Sequence, residues 1–257
     1  MALRRIIGTI FTRGPLAVQS IAFKRHLPVG DPVVVAEAYD QWQADEIVLA
    51  DITATAEGRL VSRDIINRAT RHLRTPLTVG GGIQTIAQVE DLLRSGADRV
   101  FINTTAREKE QFVHDAAQFF GSQCIVAWID VLRDASGALR VYDHLTRSTL
   151  GTPLEDWMRE LEQRGIGEII LHAVHADGQM QGFDLKLAAH ASAVAVPVIL
   201  SGGAGCAQHF QEVFSASQIA GACAGNLFTH SECAITAVKR GVLASTPAIR
   251  PLHASAA

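Results

Sequence analysis

The sequence lacks the features that usually mark metal-binding, redox, exported or membrane-spanning proteins. Its 257 residues include only four cysteines, and these show no metal-ligand or redox spacing, which favours reduced thiols in a cytosolic protein. No apolar run approaches the length that crosses a bilayer, and we expect no export signal. A formal net charge of −3 gives no reason to expect a nucleic acid or an acidic membrane as partner. We therefore expect a cytoplasmic protein without a metal or another cofactor.

The composition, with 48% apolar and 19% charged residues, is typical of a soluble globular protein. A chain of this length suits one large barrel or two smaller domains. Because no low-complexity linker interrupts the chain, we predict a single domain over residues 1–257. We expect it to be structured to about residue 245, with a loose tail over residues 246–257.

Strand-like apolar runs alternate with helical patterns along the whole chain, which indicates an α/β fold. The predicted strands are at residues 6–11, 46–51, 76–80, 99–103, 124–130, 168–172, 197–201 and 221–225. The predicted helices are at residues 31–44, 64–73, 86–95, 108–120, 153–164, 185–193, 207–214 and 232–239. A long loop is expected before residue 30, and one arm of an inserted hairpin at 138–142. Eight strand–helix units predict a parallel (βα)8 TIM barrel, with a doubly wound open sheet as the alternative.

Two glycine-rich segments favour the closed barrel. Residues 78–83 (TVGGGI) and 200–205 (LSGGAG) each follow a proline-led apolar run, and Gly202 lies 122 positions after Gly80. This spacing suggests an internal half-barrel duplication. A glycine run at the C-terminal end of a strand lets a ligand approach the backbone, often a phosphate held by N–H groups, although glycines can also merely turn tight corners.

The active site of such a barrel lies at the C-terminal ends of its strands. Because the glycine runs recur with polar residues at strand ends, we predict two opposed anion sites for a substrate with two phosphates, or with one phosphate at each end. The predicted phosphate- or substrate-binding residues are Asp51, Gly81, Gly82, Asn103, Thr104, Asp177, Gly178, Gly202, Gly203, Gly225 and Asn226.

Asp130 is the candidate catalytic residue. It follows an apolar strand, where a carboxylate is costly unless it is hydrogen-bonded or poised for proton transfer. The pattern leaves two roles open, a catalytic group and a structural acceptor for loop N–H groups. His172 and His175 lie near the same end of the barrel, but lone histidines are more often core or loop residues than catalysts.

Charged residues occur at the starts of four of the eight predicted strands, which is the opposite end of the barrel. Arg5, Glu46, Arg99 and Glu168 would close a ring of two cations and two anions there. Such a ring is either a solvated network that contributes little to stability or a gate on a passage along the barrel axis.

The chain resembles the HisF family, the cyclase subunit of imidazole glycerol phosphate synthase, over essentially its whole length. The resemblance is carried by residues 5–7, 30–32, 45–53, 79–83, 96–104, 120–123, 129–130, 165–168, 177–178 and 201–205. It implies a barrel that receives ammonia from a glutaminase subunit docked on its bottom, through a gate formed by the ring just described. Asp98 and Gln123 match positions at the glutaminase interface.

Two departures from the family pattern concern the chemistry. The family's catalytic pair is one aspartate at the end of strand one and one at the end of strand five; Asp130 matches the second, but Phe11 occupies the first position. A phenylalanine cannot transfer a proton, and the loss of one member of an acid–base pair commonly costs orders of magnitude in rate. Gln19 stands where a substrate-binding lysine is usual, and residues 174–179 (VHADGQ) differ from the usual loop.

A branch of the family that also lacks the first aspartate is similar to this chain at residues 18–24, 29–32, 140–144 and 239–243. That resemblance implies amidation of a surface-polysaccharide sugar, in which ammonia makes an acetamidino group on a phosphorylated or sugar-nucleotide substrate. We predict this function first. The alternatives are a histidine-pathway cyclase that uses Asp130 alone or with a substitute such as His172, and a non-catalytic scaffold that activates the glutaminase.

Overall fold

The computed structural model describes residues 3–229, 234–245 and 249–252. The strands in this part of the chain are β1 (Arg5–Arg13), β2 (Leu16–Ile21), β3 (Arg25–Gly30), β4 (Glu46–Asp51), β5 (Leu77–Gly80), β6 (Arg99–Ile102), β7 (Ile125–Arg133), β8 (Leu139–Asp143), β9 (Ser148–Pro153), β10 (Glu168–Ala173), β11 (Val198–Ser201) and β12 (Gly221–Ala224). The α-helices are α1 (Pro32–Gln41), α2 (Arg63–Ala69), α3 (Ile86–Arg94), α4 (Thr104–Glu108), α5 (Glu110–Phe120), α6 (Leu154–Gln163), α7 (Leu185–Ala189), α8 (Ala207–Ala216), α9 (Asn226–Thr229) and α10 (Ala234–Leu243). None of these helices is long and apolar enough to cross a membrane.

Eight of the strands form a closed parallel barrel. β1 pairs with β4, and β5, β6, β7, β10, β11 and β12 follow as successive neighbours. β12 pairs in parallel with β1, with Gly221 opposite Arg5, so the sheet closes on itself. The predicted (βα)8 barrel is therefore confirmed, and the alternative of an open sheet is wrong.

The barrel strands are buried on both faces, as their continuous apolar runs predict. All six residues of β4 and of β10 are buried. The outward side chains pack under amphipathic helices, and on α6 the buried residues are Leu154, Trp157, Met158 and Leu161. The inward side chains form a separate apolar cluster that includes Ile7, Val48, Phe101, Val126, Trp128, Ile170, Ile199 and Cys223. This inner cluster lies between the two ends of the barrel.

A β-hairpin occupies the region between β1 and α1 where a long loop is expected from the sequence. β2 pairs antiparallel with β1, with Val18 opposite Phe11, and β3 pairs antiparallel with β2. Gly14 turns the chain into β2 at φ +58°. The prediction of a loop is wrong because glycine and proline here mark a turn between paired strands, not an unpaired segment. We call β2 and β3 the first hairpin.

A second hairpin follows β7, the strand that is equivalent to β1 in the other half of the barrel. β8 pairs antiparallel with β7, and β9 pairs antiparallel with β8. The hairpin arm predicted at residues 138–142 is thus confirmed as β8. We call β8 and β9 the second hairpin.

Two predicted helices differ from expectation in their continuity or their end. The helix expected at residues 108–120 is divided into α4 and α5, because Lys109 between them adopts an extended backbone with φ −128°. The helix expected at residues 185–193 ends at Ala189 and continues as a 3-10 turn over His190–Ala193.

The last part of the chain is described only in part. The start predicted for the final helix, at residue 232, lies outside the described residues. Of the predicted loose tail, residues 246–248 and 253–257 also lie outside them. Within the remaining four residues, Ile249 is buried and forms a β-bridge with Arg4.

Candidate active site

A cavity of about 520 Å³ opens at the C-terminal ends of the barrel strands, a volume typical of small-molecule sites. The predicted site residues that line it are Phe11, Asp51, Gly81, Gly82, Asn103, Thr104 and Asp130. Charged and aromatic residues outside the predicted set also line it, namely Arg13, Phe23, Lys24, His26, Trp128, Tyr142, His144 and Arg147. The two hairpins contribute several of these additional residues.

The first predicted anion site lies in this large cavity. Gly81 and Gly82 have φ values of +133° and +70°, and a Cβ on Gly82 would overlap the carbonyl oxygen of Arg59. The hydroxyl of Thr104 is buried and has no hydrogen-bond partner among the described residues. Thr104, Gly81 and Gly82 line the same cavity, which suits this part of it to a phosphate group.

Asp51 lies beside these glycines, but other groups already hold its carboxylate. Arg59 donates hydrogen bonds to both carboxylate oxygens, and the backbone N–H of Thr53 donates to Oδ1 over 3.1 Å. The side chain of Asp51 is fully buried. Asp51 therefore fixes the loop after β4, and Arg59 compensates its negative charge. Its direct contact with a substrate stays a prediction.

The second predicted anion site lies in a separate, much smaller pocket. Its residues Asp177, Gly178, Gly202, Gly203, Gly225 and Asn226 line a space of about 20 Å³, which has room for about one water molecule. The first hairpin contacts two of the residues that line this pocket. The Ser20 hydroxyl donates to Asp177 Oδ2 over 2.6 Å, and the Asn226 amide donates to the carbonyl oxygen of Ser20 over 2.9 Å. The two anion sites therefore differ in access, since the first opens on the large cavity and the second does not.

Asp130 lies at the wall of the large cavity and is 3% exposed. Its carboxylate accepts hydrogen bonds from Trp128 Nε1 at 2.9 Å and Asn103 Nδ2 at 2.8 Å, and His144 Nδ1 lies 3.5 Å from Oδ2. Burial acts to raise the pKa of Asp130, but His144, His172 and Trp128 together outweigh burial and lower the pKa below its ordinary value. Asp130 is therefore an ionised, firmly held carboxylate that can accept a proton.

An aromatic cluster surrounds position 11, where the family pattern has its other carboxylate. Phe11 is buried, with its ring edge-on to Trp128 at 6.3 Å and to His172 at 5.8 Å between ring centroids. His172 stacks on Phe23 of the first hairpin, and its Nδ1 lies 2.9 Å from the Ser201 hydroxyl. His172 is buried and lines the small pocket, not the large cavity. Its position does not favour the expected role as a substitute for the missing aspartate.

Two other residues from the sequence analysis have partners elsewhere. His175 Nε2 lies 2.8 Å from Asp184 Oδ2, and Asp184 caps the N-terminus of α7. Gln19 Nε2 donates a hydrogen bond to Thr229 Oγ1 over 2.6 Å. Both contacts join separate segments of the mouth, and neither His175 nor Gln19 lines the large cavity.

The four charged residues at the strand starts form a closed ring at the other end of the barrel. Arg5 pairs with Glu46 at 3.0 Å and also with Glu168. Arg99 pairs with Glu168 at 2.5 Å and also with Glu46. Burial acts to lower the pKa of Arg5, but the two glutamates outweigh it and raise the pKa. Because both glutamates are buried, this ring is not a solvated surface network.

Asp98 and Gln123 lie at the same end as the ring. Asp98 Oδ2 accepts a hydrogen bond from the backbone N–H of Leu77 at 2.8 Å, at the start of β5. Gln123 is exposed in the 3-10 turn Ser122–Cys124 before β7. Their contact with a glutaminase stays a prediction. In the part of the chain that the structure describes, no group of three or more His, Cys, Asp or Glu residues is placed to hold a metal ion.

Sequence reasoning missed most of the cationic and aromatic lining of the cavity. A signal exists for Trp128, since a side chain two residues before Asp130 faces the same side of a strand. Lys24 and His144 lie in the hairpins, whose position over the mouth depends on contacts between distant segments. No local pattern in the sequence places these two side chains at the cavity.

Known proteins match the chain over nearly its full length. The model of the family described as "Histidine biosynthesis protein" matches residues 6–234. The chain is 42% identical to imidazole glycerol phosphate synthase subunit HisF of Anoxybacillus flavithermus over 244 residues, which cover 94% of this chain and 97% of that protein. Identity to the HisF subunit of Bacillus subtilis is 41% over 241 residues, which cover 93% and 96%. For Streptococcus sanguinis HisF it is 38% over 251 residues, which cover 97% and 100%.

These relatives support the resemblance to HisF and give no support to the sugar-amidation branch. The matched region extends over the whole closed barrel, from its first strand to its last, and includes both glycine runs. The chain therefore belongs to the histidine biosynthesis protein family, as a HisF-type barrel.

Proposed function

We propose that the chain is the synthase subunit of a glutamine amidotransferase complex. In this function a glutaminase subunit at the barrel bottom releases ammonia, which reacts with a phosphorylated acceptor at the mouth. The observation that carries the proposal is the closed ring of two arginines and two glutamates at one end of the barrel, opposite the cavity that holds Asp130 at the other. A ring in which every charge is paired blocks free passage of water and ions until it opens.

The interior between the ring and the cavity suits a neutral molecule. The layer next to the ring consists of the side chains two residues further along the same strands, namely Ile7, Val48, Phe101 and Ile170. Burying an unpaired charge in such a layer costs far more than burying a small neutral molecule. An apolar layer therefore favours the passage of ammonia over that of ammonium.

The charge of the cavity suits a phosphorylated acceptor. Arg13, Lys24 and Arg147 line the cavity, whereas the charge of Asp51 is neutralised by Arg59. Arginine and lysine are the side chains that most often bind phosphate. With the unpartnered hydroxyl of Thr104, they give the large cavity the groups that an anionic substrate needs.

For the acceptor, the relatives favour the ribonucleotide from which imidazole glycerol phosphate is made. The test is turnover of this ribonucleotide by the purified chain, with an ammonium salt as nitrogen source and imidazole glycerol phosphate as the measured product. We expect product formation that depends on ammonium and is lost in Asp130→Asn. No product from a folded protein at any ammonium concentration would contradict this acceptor.

Amidation of a surface-polysaccharide sugar is the second candidate, and the aromatic cluster around Phe11 favours it. A cyclase of the family pattern has a carboxylate at this position, whereas Phe11 contacts Trp128 and His172 and offers no proton. The discriminating experiment is complementation of a strain that lacks the histidine cyclase. Vigorous growth without histidine would exclude the second candidate as the main function. Failure to grow, with ammonia-dependent amidation of a sugar nucleotide by the purified complex, would establish it.

The gate is tested by comparing two nitrogen sources in the complex with its glutaminase subunit. In Arg99→Ala both glutamates of the ring lose a partner, so we expect product from glutamine to fall relative to glutamine hydrolysis. Product from ammonium salt added at the mouth should change much less. Arg94→Ala is the matched control, since Arg94 is 77% exposed on α3 and pairs with Glu90 outside the barrel.

A further inference from the structure

His144 lies at the tip of the second hairpin and is held there by its neighbours. Asp143, the preceding residue, pairs with Arg107 at 3.2 Å and accepts a hydrogen bond from the backbone N–H of Leu145 at 2.9 Å. Arg107 also donates to Asn103 Oδ1 over 3.2 Å. Because Asn103 in turn donates to Asp130, the same network fixes both Asp130 and the turn that carries His144.

The proposed reaction of ammonia with an acceptor carbonyl needs a base and an acid. The nitrogen lone pair forms the C–N bond while the carbonyl π pair moves onto oxygen. One proton must leave nitrogen and one must reach oxygen, which gives a carbinolamine. Loss of water then needs a second proton on that oxygen and removal of a second proton from nitrogen, so that one carbonyl group and one ammonia molecule give one imine and one water molecule. Each stage uses one proton acceptor and one proton donor.

Asp130 can supply only the acceptor. Both of its oxygens already accept N–H groups, one from Trp128 and one from Asn103, and its lowered pKa keeps it ionised near neutral pH. The groups that face it are Trp128 on its own strand, Asn103 after β6, His172 on β10 and His144 from the second hairpin. Phe11 can donate nothing, and His172 is buried against Phe11 and Phe23.

We propose that His144 is the second catalytic residue of this chain and supplies the proton-donor role for which position 11 has no group. Its Nδ1 lies 3.5 Å from Asp130 Oδ2, and its side chain is 24% exposed at the cavity wall, where it can reach an acceptor. The assignment rests on the proposed function. The imidazolium gives a proton to the acceptor oxygen while Asp130 takes one from nitrogen. Asp130 then returns its proton across the 3.5 Å contact to the neutral imidazole, which resets both groups for the loss of water.

The first test measures turnover of the histidine-pathway ribonucleotide with ammonium salt. Loss of a general acid typically costs about 10²- to 10⁴-fold, so we expect His144→Asn to lower kcat by at least about 10²-fold with little change in KM. In His144→Ala, added imidazole should restore part of the lost rate, which a purely structural role would not allow. His114→Asn is the matched control, since His114 is exposed on α5 outside the barrel. Activity of His144→Asn within twofold of the parent, or no rescue by imidazole, would overturn the assignment.

The second test needs no acceptor. Carboxyl ¹³C NMR follows the titration of Asp130 in the parent chain and in His144→Asn. Because His144 contributes to lowering the pKa of Asp130, we expect this pKa to rise in the variant. If the parent does not turn over the ribonucleotide, the proposed acceptor fails while this measurement still stands. An unchanged pKa of Asp130 would then overturn the pairing with His144, and a raised one would support it.

Discussion

The first and second hairpins are equivalent insertions after β1 and β7, yet they contact different loops of the barrel mouth. The first hairpin reaches the loops after β10 and β12, where Ser20 bonds to Asp177 and Asn226. The second reaches the segment after β6, also in the other half of the barrel, where the Arg107–Asp143 ion pair fixes its tip. Both insertions therefore line the open cavity, and the first also contacts residues of the small pocket.

The two glycine cradles differ in the space beside them. Gly81 and Gly82 on one side and Gly202 and Gly203 on the other all adopt positive φ at the ends of equivalent strands. The backbone cradles are thus alike, but the first opens on about 520 Å³ and the second on about 20 Å³.

The largest expected effect comes from removing the carboxylate of Asp130 on β7, since the corresponding residue on β1 is Phe11. Asp130→Asn keeps the shape and an oxygen for Trp128 but cannot accept a proton. We expect ammonium-dependent turnover to fall by about 10²- to 10⁴-fold, while the circular dichroism spectrum is unchanged. Asp134→Asn serves as the control, because Asp134 lies in the turn between β7 and β8 and its carboxylate bonds to Ser136, Ala138 and Arg140 of the same hairpin connection. Equal activity of Asp130→Asn and the parent would contradict a catalytic role.

The two glycine cradles can be compared directly by matched substitutions. In Gly82→Ala the new Cβ would overlap the carbonyl oxygen of Arg59, and in Gly203→Ala that of Gly182. Both also strain a positive φ, so we expect each to lower the free energy of unfolding by about 3 kcal/mol, measured by urea denaturation.

Phosphate binding should distinguish the same two variants. Calorimetric titration with inorganic phosphate should show weaker binding in Gly82→Ala, since this cradle opens on the large cavity. Gly203→Ala should bind phosphate like the parent, because its cradle opens on a space with room for about one water molecule. Weaker binding in Gly203→Ala alone would reverse the assignment of the open site.

Restoring a carboxylate at position 11 tests how far the first half has departed from the second. Phe11→Asp removes a ring packed against Trp128 and His172 and buries a carboxylate for which no donor is placed. We expect the free energy of unfolding to fall by about 3–5 kcal/mol, as for other truncations of buried aromatic residues. Phe11→Leu is the control, with an expected loss of about 1 kcal/mol. A Phe11→Asp variant as stable as the parent would show that the site still accommodates a carboxylate.

The barrel and the ring could be predicted from the sequence because each depends on local periodicity. Strands buried on both faces give continuous apolar runs, and Arg5, Glu46, Arg99 and Glu168 each begin such a run, on the first, second, fourth and sixth barrel strands. A parallel barrel brings all strand starts to one end, so their meeting follows from the topology. The positions of the glycine cradles follow in the same way.

The asymmetry between the hairpins could not be predicted, since it depends on contacts between distant residues. Ser20 and Asp177 are 157 positions apart, and neither has a local feature that indicates the pairing. Gly14 and Pro15 are typical of a loop, and only the pairing of β2 with β1 shows that they form a turn. The place of His144 beside Asp130 depends in the same way on Arg107 and Asp143.

The smallest expected effect concerns the anchor of the first hairpin. Ser20→Ala removes the hydrogen bond to Asp177 and leaves that buried carboxylate with the backbone N–H of Phe23 at 3.3 Å. A lost hydrogen bond to a buried carboxylate costs about 1.5–3 kcal/mol. This loss destabilises the position in which the hairpin contacts Asp177. We expect faster cleavage within residues 21–26 in limited proteolysis, with global stability nearly unchanged, whereas Ser148→Ala in the second hairpin should not alter cleavage there. If the Ser20→Ala hairpin is cleaved no faster than the parent's, its other contacts hold it closed, and the difference between the two anion sites does not depend on Ser20.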